Sequence, residues 1–220
     1  MNYIGLDYGL SKTGIATSNS IIKVATVKDT VRTDKIINYL KNIYKDEDIF
    51  VVGLPISMSG RYSKQTYETI EFSINLKKIF NSKVFLIDER LTTQQSYSLT
   101  KSFLNSKKAK KAKDQNSALF ILQRFLNNQN LAIELIEKKE YKLENIDSNS
   151  ILINNLIIKN SNIYNKADIL AIDPYIFWWY YKRNKTSTAL KEDLNYEYDF
   201  IISNDDINIK YNNLIKLNND

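Results

Sequence analysis

The sequence predicts an α/β fold over residues 1–126, built on one mixed sheet. Three observations carry that prediction. Three short apolar segments follow one another in the first 31 residues, joined by short links. Two later apolar runs, residues 49–54 and 83–87, are continuous, as strands covered on both faces are. The segments between and after those runs change to helical spacing. A meander of three strands followed by parallel strands with crossover helices is the arrangement that fits.

Each element follows in order. Residues 2–8 are apolar and end on a carboxylate, Asp7, before Gly9. Residues 12–18 and 21–31 give two more strands, with Ser18-Asn19-Ser20 as turn chemistry between them. Ile36, Ile37, Leu40, Ile43 and Tyr44 then fall on one helical face, with Asp34 as its expected cap. The run Ile49 to Leu54 stops at Pro55, and a long helix is expected over 63–80 with Tyr67, Ile70 and Ile74 as its stripe. Residues 83–87 form the next buried strand and end in Asp88-Glu89-Arg90. Residues 93–104 read as helical. A lysine-rich loop then leads to a final helix over 114–126.

Composition narrows the chemistry. The chain has no Cys and no His. The first fits a cytosolic chain and excludes disulfides and thiolate metal sites. The second removes the commonest general base and metal ligand, so catalysis would rest on carboxylates, Lys, Tyr or Ser. No run approaches the roughly 18 apolar residues of a membrane span, and no N-terminal signal pattern is visible. Charge is uneven. Residues 1–126 carry 20 Lys+Arg against 11 Asp+Glu, a net of +9, and residues 127–220 carry 11 against 14, a net of −3. A basic front half suggests a polyanionic partner.

The acids are the chemical signal. Asp7 and the pair Asp88/Glu89 each end a buried strand. With strands 1 and 5 flanking strand 4, those ends stand about 10 Å apart. Asp114 shares a stripe with Ala118, Ile121 and Phe125, at spacings of 4, 7 and 11, so it is expected to face the sheet. Singly, each acid has an ordinary reading. Asp7 could form a turn, Asp114 could cap a helix, and Asp88 could pair with Arg90. Together they would repel one another strongly. A hard divalent cation resolves that cost, and one or two Mg²⁺ or Mn²⁺ ions would orient a water for phosphodiester cleavage.

Four segments also resemble the motifs of the YqgF/RuvX family: Gly5 to Ala16 (GLDYGLSKTGIA), Val51 to Pro55 (VVGLP), Ile87 to Thr93 (IDERLTT) and Asp114 to Leu122 (DQNSALFIL). The resemblance covers residues 1–126 and implies an RNase H-like fold. Family members are described as Holliday junction resolvases and as nucleases for the 5′ end of pre-16S rRNA. It therefore implies a metal-dependent nuclease, with RNA (pre-rRNA or a ribosomal particle) or branched DNA as partner. By position Asp7, Glu89 and Asp114 are the metal-binding acids. Asp88 is the other candidate for the second place, since alternation puts Asp88 and Glu89 on opposite faces. Members commonly carry an acid in the loop after GLP, where this chain has Ser57-Met58-Ser59-Gly60. A non-cleaving RNA-binding maturation factor stands as the alternative; a third reading, a nucleotide-binding relative, has against it that this chain shows no second phosphate loop and no adenosine-binding motif.

Lys107, Lys108, Lys110, Lys111 and Lys113 precede Asp114, and Lys12 lies between Gly9 and Gly14. All six are candidate phosphate contacts, without a base code. Arg90 is expected to pair with neighbouring acids. Residues 127–220 are an extension of unassigned role and are read as rich in β structure. Residues 127–145 suit a strand or a short helix, and 151–158 and 167–172 are β-like. Asp173-Pro174 reads as a turn, and residues 201–220 as polar and frayed. The aromatic run Tyr175 to Tyr181, followed by Lys182 and Arg183, is the core of a small domain, a patch docking on the first domain or a base-stacking surface.

Overall fold

The computed structural model describes residues 2–90 and 106–217, except for the side chains of residues 106–116. The chain divides into two compact units. The first comprises residues 1–58 and 63–135, and the second residues 59–62 and 136–220.

The first unit holds a six-stranded sheet. Strands β1 (Asn2–Tyr8), β2 (Lys12–Asn19) and β3 (Thr26–Arg32) form the antiparallel meander. β4 (Ile49–Leu54) pairs parallel with β1 on one side and with β5 (Val84–Asp88) on the other. The order is β3-β2-β1-β4-β5-β6, where β6 (Ala132–Glu134) closes the far edge antiparallel to β5. The mixed sheet expected from the sequence, with strand 4 between strands 1 and 5, is therefore present. β6 takes this unit past residue 126.

Helices cover both faces, and alternation along the strands decides which residue meets which helix. Phe50 of β4 packs with Tyr44 and with Phe80, the last residue of α2 (Lys64–Phe80). Tyr8 of β1 stacks on Phe72 of the same helix at 4.3 Å between centroids. On the opposite face Tyr3, Val51 and Ile87 pack with Ala118, Ile121, Leu122 and Phe125 of α3 (Ser106–Asn127). α3 lies so close to β1 that a Cβ at Gly5 would stand 2.6 Å from Leu122 Cβ and 3.0 Å from the Ala118 carbonyl oxygen. Only glycine fits there.

Three local readings need correction. Asp34 does not cap α1 (Ile36–Ile43); it lies in a 3-10 turn, Thr33–Lys35, and is held by the Arg32 guanidinium at 2.9 Å. The buried face of α2 carries Thr66, Thr69 and Ser73 beside Ile70 and Ile74. Ser73 satisfies its hydroxyl on the Thr69 carbonyl at 2.8 Å, and Thr66 donates to the Pro55 carbonyl. Lys107 to Lys113 belong to α3, so the expected lysine loop is helix. Ala, Lys and Gln are good helix formers, and nothing from 106 to 113 breaks a helix. The helix expected over 93–104 lies outside the described residues.

The second unit has a parallel four-stranded sheet, β10-β8-β11-β12. These are β8 (Ile151–Asn154), β10 (Asp168–Leu170), β11 (Glu197–Ile202) and β12 (Lys210–Ile215). β7 (Glu140–Tyr141) pairs with β9 (Ile157–Ile158). A short helix α4 (Ser161–Tyr164) precedes β10. Asp173-Pro174 starts a helix instead of a free turn. Asp173 accepts the Tyr175 amide at 2.8 Å, and Pro174 opens α5 (Pro174–Tyr181), where a missing N–H costs nothing. Tyr175 to Tyr180 are all buried, which is the core alternative for the aromatic run. Residues 201–215 are not frayed: they include the end of β11 and all of β12.

Candidate active site

The site begins with parity. Tyr3 contacts Phe125, and Gly5 meets Leu122, so Asp7, two residues on, is on the α3 face of β1. Val51 is in the α3-side core, so Gly53 shares its face. Ile87 is in the same core, and Glu89 follows it in alternation. Asp7, Gly53 and Glu89 therefore line the carboxyl ends of three adjacent parallel strands, on one face. That is where open α/β sheets present reacting groups.

Gly53 is what admits Glu89. A Cβ at Gly53 would collide with Glu89 Oε1 and Ile121 Cδ1, and would stand 3.0 Å from Glu89 Cγ. The missing side chain in the middle strand is the slot that the Glu89 carboxylate occupies. Burial, then the charge of Asp7, then that of Asp88, push the Glu89 carboxyl up to about 7. Asp7 is also close to α3: a Cβ at Gly14, opposite Asp7 in the β1–β2 pairing, would be 3.6 Å from Asp7 Cβ and 3.4 Å from Ala118 Cβ.

Asp88 has a different environment. It ends β5 on the other face and is gripped by Arg90, whose backbone N–H donates to Oδ1 at 2.9 Å, whose Nε donates at 3.0–3.1 Å and whose Nη2 donates to Oδ2 at 2.7 Å. The expected pairing of Arg90 with a neighbouring acid is present. Two groups escaped the sequence reading. Gly53 had a signal, since a glycine inside a β-branched strand marks a close approach. Arg124 had none. It is only 9% exposed, and its Nη1 donates to the Asp88 carbonyl at 3.3 Å. Burial lowers the pKa of its guanidinium, and the Asp88 charge opposes that.

Lys12 is exposed at the start of β2, in the turn that follows Asp7. That turn is held by Gly9 N–H to the Lys12 carbonyl at 3.1 Å, and by Thr33 Oγ1 to the Gly9 carbonyl at 2.6 Å. Asp114 lies in α3 one turn before Ala118. α3 runs antiparallel to β1, since Phe125 meets Tyr3 and Ala118 meets Gly14, opposite Asp7. Residue 114 is thus further toward the carboxyl end of β1. The side chains of Asp114, Lys107, Lys108, Lys110, Lys111 and Lys113 lie outside the described residues. Among the described residues no group of three His, Cys, Asp or Glu side chains is placed to hold a metal ion.

The described acids nevertheless fit a hard divalent cation. They offer only carboxylate oxygens, and two are close enough that the charge of one raises the other's pKa.

Comparison with known proteins adds the family. The family model described as RuvX: Holliday junction resolvase matches residues 1–128. A Rickettsia rickettsii protein named "Putative pre-16S rRNA nuclease" is 38% identical over 119 residues, 52% of this chain and 74% of that protein. A Thermotoga maritima protein of the same name is 27% identical over 204 residues, 91% of this chain and 84% of that protein. The Thermus thermophilus RuvC structure aligns with a TM-score of 0.39 at 10% identity, covering 61% of this chain and all of that one. With its model matched over more than half of the chain, the RuvX Holliday junction resolvase family, a family of nucleases, is the one to which this chain belongs.

Proposed function

We propose that the chain is a divalent-metal-dependent nuclease that processes the 5′ end of pre-16S rRNA in ribosome biogenesis. The RNase H-like nuclease domain expected over residues 1–126 runs on through β6 to about residue 135, and the residues beyond are an extension to it. The observation that carries the reading is the pairing of Asp7 with Glu89 at the carboxyl edge of the sheet, with Glu89 pushed up to about 7. The names of the relatives supply the substrate class.

In this reading Asp7, Glu89 and Asp114 hold one or two Mg²⁺ or Mn²⁺ ions. A bound ion supplies a water of lowered pKa and offsets charge on the phosphate. The chain's own residues do the rest. Asp7 is fixed by β1, and Glu89 is fixed in the Gly53 slot. Arg90 neutralises Asp88 on the opposite face, which leaves Glu89 as the second ligand. Lys12, Lys107, Lys108, Lys110, Lys111 and Lys113 draw the phosphate backbone toward the edge without reading bases. Hydrolysis joins a water oxygen to phosphorus and releases one nucleotide oxygen, which ends protonated.

Asp7→Asn tests this. It abolishes Mn²⁺-dependent cleavage of a pre-16S 5′ fragment and leaves RNA binding in place. No cleavage by the unaltered protein with either ion, alongside retained RNA binding, would support a non-cleaving maturation factor. The family's description favours a second substrate, a four-way DNA junction. The same assay run on such a junction separates the two.

A further inference from the structure

The peptide group joining Asp88 to Glu89 is held from both sides. Its N–H donates to the Leu54 carbonyl at 3.2 Å, which extends the β4–β5 ladder by one step. Its C=O accepts Arg124 Nη1 at 3.3 Å. One partner comes from the central strand, the other from α3. A peptide plane fixed at both polar atoms leaves little freedom for the Cα that follows, so the direction of the Glu89 side chain is set before its carboxylate meets any ligand.

Arg124 is not a solvated charge that happens to touch a carbonyl. Its neighbours in α3, Ile121 and Phe125, are each 1% exposed, and Arg124 as a residue is 9% exposed. Burying a charge is costly unless it is paired or hydrogen-bonded. Burial lowers its pKa, and the charge of Asp88, whose carbonyl it grips, opposes that. The long side chain also links the two segments that must meet, because the helix that carries Arg124 carries Asp114 ten residues earlier.

We propose that Arg124 is the positioning residue of the site: from α3 it grips the Asp88 carbonyl, aims Glu89, and holds β5 in register with the helix that brings Asp114. The inference rests on the nuclease reading above.

The test compares Arg124→Leu and Arg124→Lys in the full chain, at temperatures where circular dichroism shows each folded. Three quantities are read: thermal midpoint in chelator, Mn²⁺ dissociation constant by calorimetry, and kcat and KM on a pre-16S 5′ fragment. Arg124→Leu is expected to weaken Mn²⁺ binding about tenfold and to lower kcat about tenfold or more, with KM nearly unchanged. Arg124→Lys, which keeps a donor at its tip, recovers the larger part of both. A Leu variant that loses thermal stability but keeps wild-type Mn²⁺ affinity and kcat overturns the proposal, as does a Lys variant no better than Leu. Unaltered protein that cuts no RNA or DNA overturns the nuclease reading instead, and the Mn²⁺ comparison still decides the role of Arg124.

Discussion

Glu89 has the most to lose or gain from a single proton. Without metal its carboxyl titrates near 7, against an ordinary 4.5. A carboxyl raised in the folded state favours folding in its neutral form. That contribution is fully present below about 4.5 and is lost as pH rises through about 7, amounting to roughly 3 kcal/mol. In chelator, the urea midpoint therefore falls between about pH 5 and about pH 7, and Glu89→Gln flattens the fall. Binding of Mn²⁺ at pH 7 releases about half a proton, and closer to one at about pH 6, measurable as a buffer-dependent enthalpy. Gly53 is the second decisive residue. Gly53→Ala puts a methyl into the slot of the Glu89 carboxylate and against Ile121. Cleavage falls at least tenfold while chemical denaturation shows a loss of about 1–3 kcal/mol. An active Gly53→Ala protein would remove Glu89 from the site.

At the scale of elements, the seating of α3 on β1 is the critical contact. Gly5→Ala sets a new Cβ 2.6 Å from Leu122 Cβ, in backbone-lined space that cannot give. It should cost about 1–3 kcal/mol and reduce cleavage beyond what the stability loss explains, since the helix carrying Asp114 is lifted. In the second unit, Tyr180 is fully buried; its hydroxyl accepts the Ile158 amide and donates to the Leu156 carbonyl, both at 3.1 Å. Tyr180→Phe takes the partner from the buried Ile158 amide and from the half-buried Leu156 carbonyl and destabilises that unit by about 1–3 kcal/mol in urea titration.

The elements that were legible in the sequence are those set by local pattern. Ile49–Leu54 has the bounds expected of it, because a β-branched run stopped by proline is a local signal. Asp7 and the Asp88/Glu89 pair were legible as strand ends. What escaped depends on contacts distant in sequence. The hydroxyls of Thr66 and Ser73 look solvent-facing until carbonyls in reach satisfy them. Gly53 matters only once Glu89 folds over it, and Arg124 only once α3 lies against β5. The run after Asp173-Pro174 was misread at its start because the same dipeptide that marks a turn also caps a helix.

For the whole molecule, charge distribution governs encounter. The net of +9 over residues 1–126 and −3 over residues 127–220 makes the front half the one that a polyanion such as the proposed RNA substrate would meet. Replacing Lys107, Lys108, Lys110, Lys111 and Lys113 by Gln lowers affinity for single-stranded RNA. It also makes the log–log salt dependence shallower by about 0.7 for each phosphate contact removed. An unchanged slope in filter binding would take these lysines out of the interface. Among the described residues no helix is long and apolar enough to cross a membrane.

The order of the sheet has a consequence for the chain as it is made. Within this sheet β1 finds its parallel partner only at Ile49–Leu54, and the far edge waits for Ala132–Glu134. The proposed site draws on segments near residues 7, 89 and 114, and the arginine proposed to aim Glu89 comes later still. A nascent chain stalled before that helix has emerged holds its first acid with nothing to oppose it. On the function proposed above, a site drawn from all of these segments would be complete only once every one of them is in place, so an unfinished chain would lack it.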